Sequence, residues 1–180
     1  MSATTYVTDA ATLGTGLLLA RLILGVLMVG HGGQKLFGWI GGHGIAGTAG
    51  FFEQLGFRPG KLFAVSASLA EVVSGILIAL GLFGPVGPAL LLSVMIVAVV
   101  SVHWKHGLFA GTNGIEVPLL YATGAVALAL TGPGPFSLDT VLGIHDTWTP
   151  ALKLAALAVG VVGAVVNLQA RRSARVAATA

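Results

Sequence analysis

Arg21 and Glu71 lie in the middle of two separate apolar runs, and a charge at the centre of a bilayer costs roughly 2.5 to 3.5 kcal/mol on insertion scales. That cost points to pairing of the two, directly or through a bound group, and to a functional role. Further along the first run stand His31 and Lys35, and His103, His106 and Glu116 flank two later runs. Glu71 and His103 are the candidate catalytic, proton-handling residues, and Arg21, His31, Lys35, His106 and Glu116 are the candidate ligand-binding set. Such a group beneath an apolar vault could bind an anion, hold a quinone head group, ligate a metal or pass protons. For a quinone the fit is chemical, because reduction delivers electrons and protons to carbonyl oxygens that need hydrogen bonds and a proton supply.

Plainer readings stand beside these. Arg21 and Glu71 could form a structural bridge, with the histidines as interfacial hydrogen-bonders. His103 and His106, three residues apart on a helix and joined by Glu116 or His31, could hold a metal, but paired interfacial histidines are common without one and no metal site is assigned. Gly42-His-Gly44-Ile-Ala-Gly47 spells GxGxxG without a preceding strand or a βαβ unit, so it is a chance match. Trp39, Trp104 and Trp148 fall near span boundaries, where indoles anchor at head-group level. His43, His145 and Asp139 are assigned to local structure, Asp139 in a short helix capped after Ser137.

The elements that must position these residues follow from composition. The 180 residues are 56% hydrophobic and only 8% charged, with a mean hydropathy of +0.96, which excludes a soluble domain of this size and defines an all-α, polytopic membrane bundle. With no Cys, disulfide chemistry, c-type haem attachment and thiolate-held clusters are excluded for the chain alone. The net charge of +3 reflects residues at segment ends, which fits membrane topology and not nucleic-acid binding. Five stretches read as spans: Leu13 to Gly30, Leu62 to Phe83, Val86 to Val102, Val117 to Thr131 and Ala151 to Leu168. Pro88, Pro118 and Pro150 mark first turns, where a missing N–H costs nothing. Phe51, Phe52, Leu55 and Phe57 in the Gly-rich segment 32–60 suggest a short interfacial helix that could cover a site opening.

Basic residues set the expected orientation. Arg171, Arg172 and Arg175 should stay in the cytoplasm, so five spans put the N-terminus outside and leave Lys35, Arg58, Lys61 and Lys105 on the cytoplasmic side. Rise per residue places Arg21 about 15 Å from His31 and Glu71 roughly 13 Å inside Leu62, hence at similar expected depth. If the first helix continues through Gly32-Gly33, then Arg21, Met28, His31 and Lys35 share an arc of roughly 80°. Ala156, Gly160 and Ala164 form a small-residue face for packing within or between protomers.

Taken together, Arg21-x3-Gly25, His31-Gly-x2-Lys35-Leu-Phe-Gly38, Glu71-x3-Gly75, His103, Glu116 and Gly132-Pro-Gly-Pro-Phe-Ser137-Leu-Asp139 resemble the DoxX family of small bacterial membrane proteins, over roughly Leu17 to Gly143. The resemblance implies a four-helix core to which this chain adds a fifth, C-terminal span, with Arg21, His31, Lys35, Glu71, His103 and Glu116 at recurrent polar positions. Some family members belong to thiosulfate:quinone oxidoreductases and others associate with redox or sulfur-handling proteins. The expected organisation is an extracytoplasmic segment (1–12), a DoxX-like membrane domain (13–143), a loop with an additional span (144–169) and a basic cytoplasmic tail (170–180). The expected function is a quinone-linked oxidoreductase subunit of the bacterial cytoplasmic membrane, with quinone as its ligand and lipid, redox-complex subunits or a second copy as partners. A noncatalytic membrane anchor or assembly subunit, and a small-solute or proton pathway, are the alternatives.

Overall fold

The computed structural model describes residues 9–177, and their side chains as far as residue 171. Helix α1 (Ala10–Phe37) begins at Asp9, whose carboxylate accepts from the Thr12 N–H at 3.2 Å, and ends at Gly38 in the left-handed region. Gly32-Gly33 do not break it. They instead let it meet Val72 of helix α3 (Gly60–Leu80) and the Trp39 ring without a side chain in the way. Between these two lies helix α2 (Gly44–Gln54), the short helix expected from the aromatic cluster.

Helix α4 (Val86–Ala98) runs into one π turn, Val99–His103, and a 3₁₀ turn, Trp104–His106. Helix α5 (Glu116–Thr131) carries Pro118 in its first turn, and helix α7 (Pro150–Ala177) starts on proline, after the four-residue helix α6 (Leu138–Val141). Among the described residues, α1, α3, α4 with its continuation to His106, and α7 are long and apolar enough to cross a membrane, and α5 is a shorter apolar helix. At 1.5 Å per residue the sixteen residues of α5 reach about 24 Å, short of a full hydrocarbon core.

The helices alternate in direction around a core of Met28, Ile78, Leu91, Met95, Ala125 and Leu128. Ile23, Val26, Leu120, Val159 and Val162 are exposed on the outside, as lipid-facing positions must be. The α1–α3 seam is closest at Gly25 and Gly75, where a Cβ on either would stand 2.5 Å from the carbonyl oxygen of the other. On α7 the small face is filled within the chain: Ala164 is fully buried, and Gly160 lies against the Ala89 backbone of α4.

One end of the bundle is closed by the segment after α5. Asp139, with no exposed surface, accepts from the N–H groups of Phe83 and Gly84, both at 2.7 Å, and from Trp148 Nε1 at 2.8 Å. It thereby ties the α3–α4 turn to the start of α7. Asp139 does sit in the short helix capped by Ser137, but its carboxylate is a hub between elements. Trp148 lies over Gly84 and donates to Asp139, so it locks this end of the bundle.

Candidate functional site

At the opposite end, α1, α2, α3, α4 and the last part of α7 enclose a cavity of about 520 Å³. Its aromatic wall comes from Phe51 and Phe52 of α2, Phe57 of the following loop and Phe63 of α3. Tilted ring contacts join Phe52 to Phe57 at 5.6 Å and Phe57 to Phe63 at 5.2 Å. Ala67, Ala70, Leu90, Val94 and Val97 supply the apolar floor. Helix α2 is held over it by Thr48, whose hydroxyl lies 3.2 Å from the Lys35 carbonyl, and by Arg171 of α7, whose Nε donates to the Leu55 carbonyl at 2.7 Å.

The polar groups of the cavity centre on Glu71. Its side chain is 3% exposed, and Oε1 is bound by the Lys35 ammonium. Oε2 is buried with no hydrogen-bond partner among the described residues, and the Ser101 hydroxyl is in the same condition. A buried carboxylate oxygen left unpaired costs at least the desolvation of one polar group, so it marks a place where something binds or water is held. His103 lines the same cavity, with its Nδ1 2.8 Å from the Asn113 carbonyl.

His103 closes the π turn Val99–His103, in which the hydrogen-bond span lengthens to five residues. Its direction therefore departs from the register that a continuous α-helix would carry on from Leu90.

Arg21 does not pair with Glu71. Gly25 faces Gly75 and Gly32 faces Ser68, so Glu71 comes level with Val29, about 12 Å along the helix from Arg21. The expected equal depth of Arg21 and Glu71 fails because α1 extends one to two turns beyond His31, so that His31 and Leu62 are not level. Lys35 also reaches back along the helix, the direction in which side chains lean. Arg21 is 2% exposed at the other end, where its guanidinium donates to the Phe136 carbonyl and sits in the space left by Gly81. Its Nε and Nη1 have no partner among the described residues.

The remaining expected ligand residues lie outside the cavity lining. His31 meets the Tyr121 hydroxyl at 3.4 Å, with the two rings edge to face. His106 turns Nδ1 to the Val102 carbonyl at 2.9 Å, and Glu116 accepts from the Ala110 N–H at 2.7 Å. Among the described residues no three His, Cys, Asp or Glu side chains are grouped as a metal would need. Gln34, His43, Ser93 and Asn167 line the cavity although their spacing in the chain gave no sign of it. Only the aromatic pattern of segment 51–57 signalled the cover above them.

Apolar helices with outward-facing aliphatic residues and a polar site at one end define an all-α, multi-pass integral membrane protein. The DoxX family model matches residues 16–104, and the chain belongs to the DoxX family. That match takes in Arg21, His31, Lys35, Glu71 and His103, and it stops before His106, Glu116, α5 and α7. No curated protein and no solved structure matches the chain.

Proposed function

We propose that this protein is a quinone-linked, redox-associated membrane subunit whose cavity receives the quinone head group. The observation that carries this reading is a deeply buried carboxylate with one unsatisfied oxygen, facing a cavity walled by aromatic rings and lined by Lys35 and His103. An apolar pocket with a few convergent polar groups suits a flat, amphipathic ring better than a hydrated ion. Glu71 and His103 exchange protons with the bound ring, Lys35 fixes the charge of Glu71, and the electrons pass to or from a partner subunit. Arg21, His31, His106 and Glu116 act on structure and not on the ligand.

The cavity end carries Lys35, Arg58, Lys61, Lys105 and Arg171, so this reading places it on the cytoplasmic side of a bacterial membrane, with the N-terminus outside. The anchor alternative loses the face assigned to it, because Ala164 and Gly160 already pack on α4. The pathway alternative is opposed by the packed Met28, Leu91 and Ala125 between the two polar ends.

Binding of a short-tailed quinone to the purified protein in lipid nanodiscs tests the proposal. Glu71→Gln and His103→Ala should each change the affinity at least threefold. Equal affinity in all three proteins removes the site assignment, and no binding in any removes the function.

A further inference from the structure

The unpaired buried oxygens beside the cavity belong to Glu71 and Ser101, and at Glu71 the hydrogen-bonding sense is fixed. A backbone carbonyl can only accept, so the contact between His103 Nδ1 and the Asn113 carbonyl requires the proton on Nδ1. The neutral ring then keeps its lone pair on Nε2, which makes it an acceptor and a base. Glu71, opposite the Lys35 ammonium, is a carboxylate whose second oxygen can also only accept. Ser101 can turn its hydroxyl either way and does not discriminate. Lys35 directs a proton at Glu71 Oε1, and its side chain is one-third exposed.

Resting on the quinone reading above, we infer that the cavity is built for the hydroquinone form of the ligand, whose two hydroxyl groups donate, over the quinone, whose carbonyls only accept. A hydroquinone gives Glu71 Oε2 the donor it lacks and can offer its second proton to an acceptor such as His103. A quinone carbonyl placed against the same carboxylate would set acceptor against acceptor, and a buried mismatch of this kind is a strong source of rejection. Tighter binding of the reduced form raises the midpoint potential of the bound couple, by about 30 mV for each tenfold of preference in a two-electron couple.

The test is an anaerobic titration of the full chain in nanodiscs with one short-tailed benzoquinone, its hydroquinone and the dimethyl ether of that hydroquinone. The hydroquinone should bind at least tenfold more tightly than the quinone, and the ether, which has lost both donors, should lose that advantage. Glu71→Gln should narrow the preference to about threefold or less, because the amide can donate to a carbonyl. Should that variant not fold, the ether comparison on the unaltered protein decides alone. Equal affinity for quinone and hydroquinone, or tighter binding of the quinone, overturns the inference and leaves the quinone site standing. Binding of none of the three compounds overturns both.

Discussion

At the residue scale, the two buried charges do different work. Glu71 keeps an open valence toward a cavity, whereas Arg21 is spent on closing the far end through the Phe136 carbonyl. Arg21→Ala should therefore destabilise the bundle by about 1 to 3 kcal/mol, the range for stranding a buried hydrogen-bonding group. It should leave quinone affinity within twofold, since Arg21 stands about 21 Å along the helix from Lys35. Thermal unfolding in detergent and a binding titration read the two effects separately. A large loss of affinity in a folded Arg21→Ala protein would restore the ligand role first expected of it. Asp139→Asn is a second probe, because the amide offers one acceptor oxygen to three N–H donors now shared by two. The expected outcome is a lower unfolding temperature without a change in ligand preference.

At the element scale, the closeness of α1 and α3 decides which charges can meet. Gly25→Val inserts a side chain where even a Cβ would lie 2.5 Å from the Gly75 carbonyl oxygen, so the seam must open and the yield of folded protein should fall sharply. Gly30→Ala is the matched control on the same helix: nothing lies within 4 Å of the added methyl, and stability should hold or rise by up to about 1 kcal/mol. Size-exclusion profiles of the two proteins compare them directly. The spans themselves were legible in the sequence, because runs such as 62–83 are too apolar for any other setting and proline and glycine mark their ends. The partner of Glu71 was not. It depends on the register of one helix against another, which these small residues set and which no count along a single chain reveals. His103 was legible as a polar residue at a span end, but the π turn that carries it leaves no periodic trace, so its direction was not.

For the whole molecule, alternation of five apolar helices carries the two ends of the described chain to opposite faces of the bundle. Fusing a reporter that is active only in the cytoplasm should give signal at the C-terminus and none at the N-terminus, and the reverse pattern would invert the proposed orientation. Helix α7 adds more than a crossing, since Asn167 lines the cavity and Arg171 holds the Leu55 carbonyl and lies 5.8 Å from the centre of the Phe57 ring. A chain ending before Pro150 should still insert but lose most of its quinone affinity. Affinity equal to that of the full chain would show that α1 to α5 suffice.

Helix α1 is one continuous rod pinned at two latitudes, by Arg21 to the Phe136 carbonyl and by Lys35 to Glu71. A guest that binds Glu71 Oε2 loads this rod at one latitude while the other stays held. The indole of Trp148, seated on Gly84 beside the Asp139 hub, then becomes a distant gauge of occupancy: its emission should respond to filling of a chamber on the other side of the bilayer.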